Sequence, residues 1–264
     1  MAGPRPFWWI MLLDFTTDLC HTAFMTEQIP NASLRDRPLL AVLVDADNVP
    51  AKHAAKIMRE VASIGEPALR RVYGDWSNPH LKGWKQPIHE LGLVAHQETS
   101  NSTGKNASDI GLVIHAMDIL HGGKFDAFVI VSSDSDFTAL VNRLREDGLT
   151  VIGIGEAKTN PALRNVYNRF ILIENIPDPD APKTVKESNA KADKALPLFE
   201  DAMDKIDAED GWYNLGQVGQ AIQASHPDFD TRTYGHTKLS ALVAALTALE
   251  TEKNGNRLVI RLKN

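Results

Sequence analysis

The run Leu39 to Asn48, LLAVLVDADN, constrains this chain more than any other stretch. Apolar, strand-forming residues follow one another without a polar break, the pattern of a strand buried on both faces of a parallel sheet. They then deliver Asp45, Asp47 and Asn48 where the chain must turn. A second run of the same design, Ala127 to Phe137 (AFVIVSSDSDF), ends in Asp134 and Asp136. In an open parallel sheet, ligands gather beyond the carboxyl ends of the strands, where strand order reverses. If these two strands are neighbours, four carboxylates share one pocket.

Between and after these runs, apolar periodicity alternates between strand and helix. Ala54, Ile57, Met58, Val61 and Ala62 recur at helical spacing over Ala51 to Ile64, and Gly65 stops that helix. Strands are expected at Ala68 to Tyr73, Leu93 to Gln97, Val151 to Ile154 and Phe170 to Ile173, and helices at Pro79 to Leu91, Ala107 to His121 and Phe137 to Glu146. This alternation predicts a three-layer α/β domain with a parallel central sheet over residues 39–176. Residues 177–194, with Pro177, Pro179, Pro182 and few apolar positions, read as a linker. Helices at Leu196 to Ile206, Leu215 to Ala224 and Lys238 to Leu249, then a strand at Leu258 to Leu262, suggest a small helix-turn-helix or winged-helix module over residues 195–264.

Composition narrows the class. With 43% hydrophobic and 23% charged residues the chain reads as a globular protein. A net charge of -6 does not advertise a nucleic-acid binder, but part of the acid is concentrated in the motifs. Residues 39–176 hold 14 Lys+Arg against 16 Asp+Glu, and against 12 once Asp45, Asp47, Asp134 and Asp136 are set aside. A mildly basic surface around the pocket is therefore expected. Cys20 is the single cysteine, which excludes an internal disulfide framework and fits a reducing, cytoplasmic setting. Phe7 to Leu13 is apolar but falls well short of the ~20 residues of a membrane span. Residues 1–38 read as an N-terminal extension, with Met25 as an alternative start of translation.

Clustered carboxylates are hard oxygen ligands, and their mutual repulsion favours a cation among them, Mg²⁺ or Mn²⁺ by ligand type. Taken alone, each pair has a plainer role as a helix cap. The loop GKNASD places Gly104, Lys105, Asn106 and Asp109 just before or within the start of a helix. Asp109 is either a first-turn residue favoured by the helix dipole or the completion of the metal pocket, with Lys105 meeting a phosphate. Ser132 and Ser133 either hydrogen-bond the carboxylates or cap the helix. Trp76 and Trp84 are candidates for base stacking, although packing is the simpler role.

DADNV, GKNASDIGLVIHAMD, VSSDSDFTALVNRLRE, GIGEAKTNPALRN and NRF, in that order over about Pro38 to Ile176, resemble the NYN domain family of PIN-like ribonucleases, in its bacterial and limkain-type branches. DGWYNLGQVGQAI and HPDFDTRTYGHTKLSALVAAL resemble the OST-HTH or LOTUS module, which is associated with RNA binding or protein docking. The resemblance implies a metal-dependent ribonuclease that hydrolyses single-stranded or structured RNA. Asp45, Asp109, Asp134 and Asp136 would be the catalytic metal ligands. Asp47 and Asn48 would support the first ligand or touch substrate, as would Lys105, Asn106 and Ser133, while Ser132 would hold the last pair.

Two rivals are open. DADNV also resembles the nucleophile loop of haloacid-dehalogenase-like phosphatases, with Asp45 attacking phosphorus and Lys105 or Lys158 in support. The GKNASD loop and the C-terminal module fit that chemistry badly. The other rival is a non-catalytic RNA-binding or adaptor protein that retains the acidic pocket. The charges Asp201, Asp204, Asp207, Glu209 and Asp210 would repel a phosphate backbone, whereas Lys238, Lys253, Arg257, Arg261 and Lys263 offer a basic counterpart.

Overall fold

The computed structural model describes residues 36–97, 107–178, 189–208, 211–255 and 257–263, with the backbone alone at 107, 189 and 190. Its centre is β1 (Leu39–Asp45), buried at every position. On one side lie β2 (Glu66–Gly74) and then β3 (Val94–Gln97); on the other lie β4 (Ala127–Val131), β5 (Thr150–Gly155) and β6 (Arg169–Leu172). All six pair in parallel, in the order β3-β2-β1-β4-β5-β6. The chain builds outward from β1 to β3, then returns to lay β4 against the other flank of β1. The strand order therefore reverses between β1 and β4, which makes the crevice above these two strands the natural ligand site.

Helices cover both faces, as a parallel sheet requires. Strand alternation sends Leu40, Val42 and Val44 to one face, against Ile57, Met58 and Val61 of α1 (Ala54–Ile64) and Trp84, which precedes α2 (Lys85–Glu90). Ala41 and Leu43 point the other way, to Leu112 and Ala116 of α3 (Ala107–His121) and Leu140 and Leu144 of α4 (Thr138–Glu146). Each fully buried Val, Leu or Ile among these contributes roughly 1.5–3 kcal/mol. The same alternation carries Asp45, next in parity after Leu43, onto the face of α3. Phe128 and Ile130 in β4 likewise lead to Ser132 on that face.

Short 3₁₀ turns, Ala51–His53, Pro79–Trp84 and Ser135–Phe137, open three of the expected helices. A helix absent from the sequence reading, α5 (Pro161–Val166), starts at the Asn160 cap, whose side chain accepts from Ala162 N–H.

The C-terminal module has its own core. It comprises α6 (Asn189–Ala192), α7 (Leu196–Met203), β7 (Tyr213–Asn214), α8 (Leu215–Ser225), α9 (Leu239–Ala245), β8 (Leu249–Asn254) and β9 (Arg257–Leu262), with the antiparallel order β7-β9-β8. Of the stretch read as linker, residues 179–188 lie outside the described residues, and Asn189–Ala195 is helical, with Ala192 and Ala195 in this core. The helix expected to run from Lys238 to Leu249 ends at Ala245, because Leu249 opens β8, which pairs residue for residue with β9.

This module lies against β6 and α1. Phe170 N–H, on the outer edge of β6, donates to Pro227 O at 2.8 Å, and Asn175 Nδ2 donates to Thr233 Oγ1 at 2.6 Å. Arg232 reaches Glu60 of α1 through two hydrogen bonds of 3.1 and 2.8 Å, and Arg164 pairs with Asp228 at 3.3 Å. No described helix is long and apolar enough to cross a membrane.

Candidate active site

Register brings the two acidic turns together. Val44 pairs with Val131 in the parallel ladder, so the next residues, Asp45 and Ser132, meet at the carboxyl ends of their strands. Ser132 Oγ donates to Asp45 Oδ2 at 2.7 Å and accepts from Asp134 N–H at 3.0 Å. One hydroxyl thus links the first acidic turn to the second. Asp45 Oδ2 also accepts from Asn48 Nδ2 at 2.8 Å, while its Oδ1 accepts the N–H groups of Asp47 and Asn48 at 3.1 and 3.2 Å. Burial pushes the Asp45 carboxyl above its ordinary pKa, against the opposing pull of the Ser132 and Asn48 hydrogen bonds.

Asp134 caps the 3₁₀ turn that follows β4 by accepting Asp136 N–H at 2.9 Å, and Phe137, buried in the core, anchors that turn from below. The plain capping role and the clustering role therefore coexist in one residue. Asp134 is half-buried, whereas Asp47, Asn48 and Asp136 are exposed at the crevice.

Asp109 comes from the first turn of α3. It stands three residues before Leu112 and seven before Ala116, both buried against the sheet, so helical spacing turns it toward the same face. Burial, then the charges of Asp45, Asp134, Asp47 and Asp136 in that order, hold its carboxyl at a pKa of about 6. A carboxyl raised by four others reports five acids around one crevice.

Ser108, which precedes Asp109, donates to Asp47 Oδ2 at 2.7 Å and joins α3 to the turn after β1. It is the site residue that sequence reasoning did not single out, although its place at a helix start marked it as a capping-type residue. Ser133 faces away from the carboxylates: its Oγ accepts Glu156 N–H at 2.9 Å and ties the second acidic turn to the end of β5. Gly155 permits that approach, since a Cβ there would lie 2.8 Å from Ser132 O. Lys105 and Asn106 lie outside the described residues. Trp84 is a core residue, 2% exposed, with Nε1 donating to Val49 O at 3.2 Å.

Among the described residues, no three His, Cys, Asp or Glu side chains are grouped as a ready ion cage. Asp45 engages both oxygens with its own turn and Ser132, and Asp134 turns one oxygen to Asp136 N–H. By donor chemistry the crevice nevertheless fits a hard divalent cation: burial and its other carboxylates raise the cost of ionising Asp109, and a bound cation would offset that cost.

The NYN domain family model matches residues 39–174, and the OST-HTH/LOTUS domain model matches residues 186–260. A solved structure, a protein of unknown function from Vibrio parahaemolyticus RIMD 2210633, is similar over 53% of this chain and 96% of its own, at 19% identity and a TM-score of 0.45. No curated protein matches the chain. The OST-HTH/LOTUS domain is an RNA-binding module, and the crevice above β1 and β4 lies within the stretch matched by the first model. The chain belongs to the NYN domain family of PIN-like nucleases.

Proposed function

We propose that the protein is a metal-dependent ribonuclease acting at the crevice above β1 and β4, with the C-terminal module binding RNA or a partner protein. The observation that carries this reading is the pressure on Asp109, pushed to about 6 by burial and by carboxylates from two other chain segments. Structural ion clusters shift acids in the same way, but they include a basic partner. Here the charges that act most strongly on Asp109 are all acidic.

Asp45, Asp109, Asp134 and Asp136 would hold Mg²⁺ or Mn²⁺, which when bound lowers the pKa of a water and offsets charge on a phosphodiester. The chain's own residues supply the positioning. Ser132 and Asn48 fix the Asp45 carboxylate, and Ser132 also fixes the backbone of Asp134. Ser108 holds Asp47 at the rim, where it and Asn48 face solvent and incoming substrate. No side-chain nucleophile is required.

A second reading, an RNA-binding adaptor without turnover, is favoured by the engagement of both Asp45 oxygens within the protein. Cleavage of a labelled mixed-sequence single-stranded RNA with Mg²⁺, Mn²⁺ or EDTA, beside an Asp134→Asn/Asp136→Asn variant, separates the two. Metal-dependent cleavage lost in the variant supports the nuclease. Equal RNA binding by both proteins with no cleavage by either supports the adaptor.

A further inference from the structure

A second concavity opens on the same rim of the sheet, two strands away from the acidic crevice. It has a volume of about 550 Å³ and is lined by Trp76, Leu81, Lys82, Lys85, Ile88 and Ala95. Trp76 follows the end of β2, Ala95 lies in the edge strand β3, and the remaining residues come from α2 and the 3₁₀ turn before it. We propose that this pocket is a nucleotide-binding subsite for the RNA strand, in which a base stacks on Trp76 and the flanking phosphates meet Lys82 and Lys85. The proposal rests on the nuclease reading above and specifies how such an enzyme grips its substrate.

The Trp76 indole is held rigidly. Its Nε1 donates to His96 O at 2.9 Å, and its backbone N–H donates to Gln97 Oε1 at 3.0 Å. Gln97 Nε2 in turn donates to Asp75 Oδ1 at 2.9 Å, which closes a clamp around the residue. The polar edge of the ring is thus satisfied by the protein, and the rest of the half-buried indole packs against the core while lining the pocket. Every base has a π-face, so such a platform binds single strands with little sequence preference. Trp84, eight residues later, shows the contrast: it is sealed in the core and its ring contributes to no surface.

The charges fit the same occupant. Lys82 and Lys85 meet no carboxylate within ion-pair distance among the described residues. The acids nearest in sequence are engaged elsewhere: Glu90 accepts from Gln86 Nε2 at 2.7 Å, and Asp75 is turned to Ser77 and Gln97, whose hydrogen bonds hold its pKa below the usual value. An acidic crevice repels an anionic strand, so the strand needs a cationic hold beside it. Neighbouring strands are ~4.8 Å apart, which places β3 about 10 Å from β1, a span of about three stacked nucleotides. A strand with one phosphate over the crevice therefore reaches the pocket a few nucleotides away.

The test uses the full chain and a 12-mer single-stranded RNA carrying 5-bromouridine, bound in EDTA and cross-linked by light. The proposal expects the adduct on Trp76 or its pocket neighbours. Trp76→Ala should weaken binding about tenfold and Trp76→Phe much less. Lys82→Glu with Lys85→Glu, both surface changes, should flatten the dependence of log K on log salt by about 0.7 for each phosphate that the protein no longer neutralises. Adducts that map elsewhere, with both variants binding as wild type does, would overturn the subsite. Cleavage of the same RNA by wild-type protein with Mn²⁺ is read in parallel. Cleavage with an unchanged KM in Trp76→Ala sinks the subsite and leaves the nuclease standing. A Trp76 adduct with no cleavage leaves the subsite standing and sinks the nuclease.

Discussion

Two groups of acids in this molecule meet the same electrostatic difficulty and resolve it differently. At the seam between the sheet domain and the C-terminal module, Glu60 and Asp230 are only 13% and 11% exposed, and Arg232 stands between them. Burial by itself would lower the guanidinium's pKa, but the hydrogen bonds it donates to Asp230 and Glu60 outweigh that effect and hold its pKa above the ordinary value. The crevice above β1 and β4 gathers Asp45, Asp47, Asp109, Asp134 and Asp136, and the strongest charges on Asp109 are all negative. One cluster is closed by a residue of the chain. The other carries a standing electrostatic cost that an external cation would relieve, which is the physical difference between a structural acid cluster and a site.

The largest expected effect sharpens that contrast at the crevice. Asp134→Asn with Asp136→Asn should lower RNA cleavage by about 10³-fold, equivalent to ~4 kcal/mol of transition-state stabilisation, while circular dichroism stays unchanged. Cleavage at wild-type rate would place the chemistry elsewhere.

Next in size is the seam. Arg232→Met leaves two partly buried carboxylates uncompensated and should destabilise by about 3 kcal/mol, roughly a 6–12 °C fall in Tm for a unit of this size. Replacing Glu60 and Asp230 by leucine in the same protein should restore most of the loss. An unchanged Tm in the single variant would mean that the arginine closes nothing.

The crevice should respond in the opposite sense. The folded-state pKa of Asp109, about 6, lies above its unfolded value, so the stability it adds is complete below the unfolded pKa and is lost as pH rises through about 6. In EDTA, Asp109→Asn should therefore raise stability at pH 7 by ~1–2 kcal/mol, after allowance for solvent screening of a half-buried group. Its thermal melts should also lose the gain that wild type shows between pH 7 and pH 5. A variant less stable than wild type at pH 7 would break the comparison.

The smallest effect is a shift of a few degrees in wild-type Tm with millimolar Mn²⁺, about what occupancy of one weak site supplies. It should vanish in the Asp134→Asn/Asp136→Asn protein. An equal shift in both would assign the ion to another place.

Much of this arrangement is legible in the sequence. The strands β1 and β4 are apolar throughout because both faces are covered, and that continuity exposes the turns that follow them. Asp109 is readable from helical spacing, since residues 109, 112 and 116 share a face. By contrast, α5 is six residues long and shows only its Asn160-Pro161 start, too little for periodicity. The strand β8, LETEKN, reads by itself as the end of the preceding helix and the charged turn after it; its extended form is fixed by pairing with β9 rather than by its own residues. Ser133 cannot be told apart from its neighbour Ser132 by composition. Register and the approach of β5 send one hydroxyl to Asp45 and the other to the backbone of Glu156. The bridge from Arg232 to Glu60 spans 172 positions and follows no local pattern.

The hydrogen bond from Phe170 to Pro227 bears on how the two parts can be separated. β6 is the last strand of the parallel sheet, and its outer N–H at Phe170 is met by the module rather than by solvent. A fragment cut after Ile176 would bare that margin beside Arg164 and Glu60, both stripped of their counter-charges. Exposed strand margins recruit one another, so the isolated front half is predisposed to self-association. In this chain the C-terminal module doubles as a selvedge, the finished border that keeps the sheet from fraying into its neighbours.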